Sequence, residues 1–221
     1  VLGVMLITAV LGMFMSNTAA TAAMFAVVIP VMKALPEGKA RAGLALSIPA
    51  AANVSGISTP VSSPPNAIAL AALQNHGIHI TFVEWMIAAV PLAIVMMAAV
   101  WAFIAFTFIP ADLTLGIDTS AKFNTSKRAI AFYIVAVATI VLWMSEPLHG
   151  ISSNTVGFLP VVALLMLGVM NGDDVRKLDW PILWLVAGGI ALGSGVGLTG
   201  LDKWLIGSIA WDAIPSAVVF L

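Results

Sequence analysis

Long apolar segments constrain this chain more than any other feature of its sequence. A helix needs about 20 mostly apolar residues to cross the core of a bilayer, and four segments meet that requirement: roughly 82–110, 129–145, 154–171 and 181–200. Of the 221 residues, 61% are hydrophobic and 9% are charged, whereas soluble domains carry about 25% charged residues. The chain therefore has too few charges to coat a soluble fold of this size, and we expect an all-α integral membrane protein.

The charge balance and the cysteine count exclude several classes of function. Nine basic and ten acidic residues give a net charge of −1, which offers no basic field to nucleic acid. The absence of cysteine excludes disulfides, thiolate metal sites and cysteine nucleophiles. The apolar segments contain neither a nucleophile paired with a histidine nor paired carboxylates, so a membrane-embedded hydrolase is disfavoured. We expect no enzyme, no catalytic residue and no nucleic-acid partner.

Two further apolar segments are interrupted by polar residues. Residues 1–32 form two short arms on either side of Ser16-Asn17-Thr18, and residues 43–75 form two arms separated by the polar stretch 55–66. An arm of 10–15 residues is too short to cross alone, so it suits a re-entrant hairpin or half of a broken helix. Pro64 and Pro65 stop a helix from running through the second interruption.

The basic residues predict the orientation in the membrane. If 1–32 is a hairpin that returns to its own side, eight of the nine basic residues fall on one side of the membrane. They lie in three loops: 33–41, 111–128 and 172–180. The connections 74–81 and 146–152 contain no lysine or arginine. The positive-inside rule therefore predicts that the three basic loops are cytoplasmic.

The polar groups inside the membrane are neutral, which favours one kind of function. No ionisable residue lies in the middle of a predicted span, although carriers of protons usually need an intramembrane carboxylate or histidine. A broken helix instead frees carbonyls that can coordinate sodium and N–H groups that can hold an anion. This pattern favours a carrier of small anions that is driven by a cation.

Other polar residues have simpler interpretations. The triplet recurs as Ser153-Asn154-Thr155 at the start of a predicted full-length span, where we interpret it as an ordinary helix cap. The three histidines, His76, His79 and His149, lie in predicted loops, and we expect solvated side chains there rather than a metal site.

Three motifs resemble those of the divalent anion:sodium symporter family. The stretch 15–24, which contains Ser-Asn-Thr, resembles the hairpin motif of that family. The stretch 59–67 resembles its Gly-Thr-Pro-Pro-Asn loop, and 178–193 resembles the Asp-Trp start and glycine-rich body of its ninth helix. The motifs follow one another in the expected order and spacing.

The resemblance implies an inverted-repeat, elevator-type secondary transporter that forms a homodimer. Residues 1–75 would belong to the transport domain, with 1–32 as the re-entrant hairpin and 43–75 as an unwound helix. Residues 76–171 would be scaffold-type helices. Residues 172–221 would start the second repeat, and both chain ends lie in apolar sequence, so we expect a portion of a longer protein, cut before the second hairpin.

The resemblance also implies two sets of binding residues. Four residues would contact the substrate: Ser16, Asn17, Thr18 and Ser63. Four would hold a sodium ion: Gly12, Ser16, Asn17 and Ser62. The chain departs from the family pattern where Ser62 and Ser63 replace its Gly-Thr pair, and where Gly12 stands at a position that is serine in some members.

The predicted function is secondary active transport of a small divalent anion by sodium symport, with no organic cofactor. The anion would be a dicarboxylate, citrate or sulfate, and the membrane a plasma membrane or a bacterial inner membrane. A proton-coupled or exchange-type anion carrier of the same superfamily is the alternative. A passive channel would give no reason for a hairpin with a polar tip.

Overall fold

The structure, a computed structural model, describes residues 1–110 and 124–208, which are folded into helices joined by short loops. Eleven helices are found in these ranges: α1 (Leu2–Gly12), α2 (Asn17–Ala34), α3 (Lys39–Ser55), α4 (Pro64–Asn75), α5 (Phe82–Phe108), α6 (Lys127–Met144), α7 (Glu146–His149), α8 (Ser153–Met166), α9 (Gly172–Arg176), α10 (Trp180–Thr199) and α11 (Leu201–Gly207). The chain divides into two compact units, Val1–Leu178 and Asp179–Leu221. In the second unit, α10 ends at Thr199. Its C-cap, Gly200, has a φ of 68° and turns the chain into α11.

Helices α1 and α2 lie side by side and both pack against α3. A buried cluster joins α2 to α3 through Met24, Val28, Leu44 and Ile48, and Val4 of α1 packs against it. The two arms predicted within 1–32 are therefore present as a helical hairpin. The predicted length of the second arm is wrong, because α2 has 18 residues and is long and apolar enough to cross a membrane alone.

Within the described residues, four helices are long and apolar enough to span a bilayer: α2, α5, α6 and α10. The predicted spans at 82–110, 129–145 and 181–200 are confirmed by α5, α6 and α10. The prediction of a full span at 154–171 is wrong. Its helix, α8, has 14 residues, which is roughly 21 Å of helix. It ends early because Gly168 takes a φ of 64° and the following amides turn back to bond the carbonyl of Leu164.

The predicted break within 43–75 is present between α3 and α4. Helix α3 begins at Lys39, four residues earlier than predicted, and ends at Ser55. Residues 56–63 form a non-helical loop, which we call the break loop. Pro64 then occupies the first position of α4, where its missing N–H costs no helical hydrogen bond.

The first basic loop is shorter than the sequence predicted. Lys33 lies in the last turn of α2, and Lys39 and Arg41 lie in the first turn of α3, so the connection between these helices is only 35–38. The Arg41 guanidinium donates to the Leu35 carbonyl at 2.6 Å and pairs with a carboxylate in the same loop. Most of the predicted loop 111–128 lies outside the described residues. The cytoplasmic orientation and the domain boundaries at residues 75 and 171 stay predictions.

Glu146 joins the starts of two helices. Its carboxylate accepts hydrogen bonds from the N–H of Phe82, at 2.9 Å, and of Ser153, at 3.3 Å, which are the first residues of α5 and α8. Trp143, at the end of α6, stacks on Phe82 with ring centroids 5.3 Å apart and donates its indole N–H to the Ser153 carbonyl. One carboxylate therefore satisfies two N–H groups at helix starts, where the helix dipole favours a negative charge.

Replacing this carboxylate should destabilise the helix bundle. We expect Glu146→Ala to leave two helix N–H groups without acceptors and to lower the free energy of unfolding by about 1–3 kcal/mol. Thermal unfolding of the complete protein in detergent measures the change. Glu37→Ala is the matched control, because the Glu37 side chain is 91% exposed and, among the described residues, bonds only Arg41. Equal losses in the two variants would contradict the role of Glu146.

Candidate functional site

Two helices end and two helices begin at the predicted interruptions. Helix α1 ends at Gly12 and helix α3 ends at Ser55, and these ends touch. A methyl group built on Gly12 would lie 2.3 Å from the Oγ atom of Ser55 and 3.4 Å from the carbonyl oxygen of Ala52. Since helix C-termini carry partial negative charge, two negative helix ends meet at this point. The next helix after α1 is α2, which starts at Asn17, and the next helix after α3 is α4, which starts at Pro64.

Asn17 lies where the hairpin turn meets the end of α3. Its Nδ2 donates to the Oδ1 of Asn53 at 3.1 Å. Its own Oδ1 is buried and accepts no hydrogen bond from the part of the chain that the structure describes. A buried acceptor without a partner costs about 1–3 kcal/mol, so this oxygen is available to a ligand.

The lack of a side chain at Gly56 allows the Asn17 amide to pack against its backbone. A methyl group on Gly56 would lie 2.4 Å from Oδ1 and 2.9 Å from Nδ2 of Asn17. The φ of Gly56 is −63°, which any residue can adopt. The close approach of the amide, rather than backbone conformation, is therefore the reason for a glycine here.

The break loop is held by its own hydrogen bonds. The Oγ of Ser62 lies 2.7 Å from the carbonyl oxygen of Gly56 and 2.8 Å from that of Thr59. The Nδ2 of Asn66 donates to the same two carbonyls at 2.8 Å. The Ser62 hydroxyl, which replaces a glycine of the family motif, therefore bonds the inside of the loop and is almost fully buried.

Two contacts attach the break loop to its surroundings. The Thr59 hydroxyl donates to the carbonyl of Met13, in the turn of the hairpin. On the other side, the Trp85 indole N–H donates to the carbonyl of Ile57 at 3.0 Å. The first contact joins the two interrupted elements, and the second joins the loop to α5.

The predicted substrate residues lie at the two helix starts. Ser16 caps α2 by accepting a hydrogen bond from the N–H of Ala19 at 3.2 Å. Ser63 precedes α4, is half-buried, and makes no capping hydrogen bond with the described first turn of that helix. Thr18 is exposed. These positions combine hydroxyl groups with helix N-termini, which suits the binding of an anion.

The structure brings residues of the two interruptions together. Asn17 from the first and Ser62 from the second both contact Gly56. Asn53, Ser55 and Gly56 were not predicted as site residues, although each contacts a residue of the hairpin or of the break loop. The spacing of three between Asn53 and Gly56 puts both on one face at the C-terminal end of α3. This spacing was the sequence feature that could have identified them as site residues.

The second Ser-Asn-Thr triplet differs from the first in its environment. The cap of α8 is Ser152, which accepts from the N–H of Thr155, so Ser153 is already helical. The triplet marks a helix start, as predicted, but the capping residue precedes it by one position. Asn154 is exposed to solvent.

Comparison with known proteins identifies the family. A family model described as a citrate transporter matches residues 1–221. The chain belongs to the citrate transporter family. The resemblance to divalent anion:sodium symporters is thereby confirmed, and the family is one of membrane transporters rather than enzymes.

Three relatives of this citrate transporter family member illustrate its range. The low-affinity phosphate transporter PHO90 of Saccharomyces cerevisiae is 32% identical over 195 residues, which cover 86% of this chain and 22% of that protein. The inorganic phosphate transporter PHO87 of the same yeast is 29% identical and covers 86% and 21%. The sodium-dependent dicarboxylate transporter SdcS of Staphylococcus aureus is 26% identical and covers 92% and 46%. The chain therefore spans less than half the length of each.

A methyl group at Gly56 should disturb the candidate site specifically. We expect Gly56→Ala to push the Asn17 amide away and to lower anion uptake by the complete protein roughly a hundredfold, as for other displacements of about 1 Å. Uptake into reconstituted vesicles measures this. Gly157→Ala is the matched control, because no described atom lies within 4 Å of the added methyl group. Normal uptake by Gly56→Ala would mean that the position of Asn17 is unimportant.

Proposed function

We propose that the complete protein is a secondary active transporter that carries a small anion across the membrane by symport with sodium. The observation that carries this proposal is the Oδ1 of Asn17, which is buried at the meeting point of two broken membrane elements and accepts no hydrogen bond from the described residues. Irregular backbone at membrane depth is tolerated where it lines a cavity or a binding site. The family membership supports transport as the general activity.

The chemistry of the site supports sodium rather than protons as the driving ion. The oxygens at the helix breaks belong to amides, hydroxyls and backbone carbonyls, which are neutral ligands that suit sodium. A proton would need a titratable group at membrane depth. Among the described residues, no group of three histidine, cysteine, aspartate or glutamate side chains forms a metal site. One relative is itself named a sodium-dependent transporter.

The two sets of helix ends support separate positions for the two ions. The C-terminal ends of α1 and α3 suit a cation, whereas the starts of α2 and α4 suit an anion. Sodium would be held by Asn17, Ser16 and the backbone at Gly12 and Ser62. The anion would be held by Ser16, Asn17, Thr18 and Ser63. Sodium binding first would neutralise the carbonyl dipoles and order the hairpin turn for the anion.

The substrate class follows from the family and its named relatives. The family resemblance implied a dicarboxylate, citrate or sulfate, and the relatives named as phosphate transporters add inorganic phosphate to the candidates. All of these anions carry oxygens that helix N–H groups and hydroxyls can bind. Competition of each anion against labelled succinate in vesicles distinguishes among them. A homodimer and a plasma or bacterial inner membrane stay predictions of the resemblance.

Removing the Asn17 amide should abolish transport without unfolding the protein. We expect Asn17→Ala to reduce sodium-driven uptake to background, because the variant loses both an oxygen ligand and the bond to Asn53. Uptake into vesicles and thermal unfolding in detergent measure the two effects. Asn154→Ala is the matched control, since it changes the same residue of the second Ser-Asn-Thr triplet at an exposed helix start. Wild-type uptake by Asn17→Ala would overturn the proposed site.

Replacing external sodium tests the coupling ion separately. We expect uptake to fall to background when choline replaces sodium at constant ionic strength, because choline cannot enter a site built from closely spaced oxygens. Proton-coupled transport would instead persist in choline and respond to an imposed pH gradient. Exchange would require anion on the opposite side of the membrane. Either result would favour the alternative carriers and remove sodium from the proposal.

A further inference from the structure

At the contact between Gly12 and Ser55, the hydroxyl group comes from Ser55, whereas the residue at position 12 is a glycine and supplies none. Gly12 has no side chain, and the space that its Cβ would fill is taken by the Oγ of Ser55, 2.3 Å from that position. The next nearest atoms, the carbonyl oxygen and Cα of Ala52, are 3.4 and 3.5 Å away. The Ser55 hydroxyl is thus the side-chain group that meets the end of α1.

The hydrogen bonding of Ser55 leaves its oxygen available as a ligand. The hydroxyl donates its hydrogen to the carbonyl of Ala52 at 3.1 Å, and no donor among the described residues bonds to its oxygen. A hydroxyl oxygen has two acceptor positions. Ser55 is 97% buried, given its exposed fraction of 3%, so an oxygen with unused acceptor capacity lies away from bulk water.

A second buried acceptor packs against the residue that follows Ser55. Asn17 Oδ1, which is buried and accepts no hydrogen bond from the described residues, lies against Gly56. The ends of α1 and α3 add the partial negative charge of their last carbonyls. Buried oxygen acceptors and negative helix ends are the surroundings that a small cation prefers.

We propose that Ser55 is a ligand of the coupling cation and supplies, from α3, the side-chain oxygen that Gly12 lacks on α1. This inference rests on the proposed sodium symport and extends its ligand set to a residue that neither the motif match nor the family assigns. It predicts that the hydroxyl can be moved across the helix contact: the site needs one oxygen in this space, whichever helix carries it.

A cycle of three variants tests this exchange. Ser55→Ala removes the oxygen. Gly12→Ser adds a side chain that collides with the Oγ of Ser55. The double variant, Gly12→Ser with Ser55→Ala, removes the collision and returns one hydroxyl to the same space. Sodium binding to the complete protein in detergent is followed by sodium-dependent thermal stabilisation, with choline maintaining the ionic strength. Sodium-dependent uptake into vesicles is the second measurement.

Two controls separate ligation from helix packing. Ser47→Ala removes another buried serine of α3, whose hydroxyl makes the same type of bond to the carbonyl three residues earlier, at Leu44. Gly3→Ser adds a side chain on α1 where no described atom lies within 4 Å. Both controls should retain the wild-type sodium midpoint.

The expected result is a specific and reversible change in sodium affinity. We expect Ser55→Ala to raise the sodium midpoint about tenfold or more, as loss of one bonding partner implies. Gly12→Ser should be impaired, and the double variant should bind sodium more tightly than either single variant. A wild-type midpoint in Ser55→Ala, or additive defects in the double variant, would overturn the role of Ser55. Absence of sodium-dependent stabilisation and uptake in the wild type would instead overturn the proposed symport.

Discussion

The meeting of two helix ends beside a buried amide oxygen is the constraint on which the rest of the first unit depends. Helices α1 and α3 touch at their C-terminal residues, so their partial negative charges lie close together. The amide oxygen of Asn17 adds a buried acceptor that no described residue donates to. Such an arrangement is unfavourable when empty, and the surrounding bonds, from Thr59 to the hairpin turn and from Trp85 to the break loop, hold it in place.

The neutrality of the described site has a consequence for the proposed cycle. A carrier has to expose its site to both sides of the membrane, and a fixed charge makes that movement costly in a bilayer. A site made of dipoles carries no net charge when empty. When a cation and an anion bind together, their charges partly cancel. The same groups can therefore hold a cation–anion pair and still move without a large electrostatic penalty.

The sequence predicted features that depend on composition and missed those that depend on contacts. Apolar length predicted α5, α6 and α10, and polar interruptions predicted the hairpin turn and the break loop. Hydropathy could not predict the early end of α8, because Gly168 reverses a chain that stays apolar. Asn53 was missed because its contact to Asn17 spans 36 positions. Only the packing of α1 and α2 on α3 brings such distant residues together.

Gly12 and Ser62 show why a binding residue cannot be transferred by alignment alone. At the first position the family pattern allows a serine, and this chain has none, yet a hydroxyl from α3 fills the space. At the second position the chain adds a hydroxyl, which bonds the carbonyls of its own loop. In both cases the position of a hydroxyl group in space, rather than its position in the alignment, decides what it contacts. A comparison of ligand sets within the family should therefore be made by position in space, with the facing residues of α1 and α3 considered as a pair.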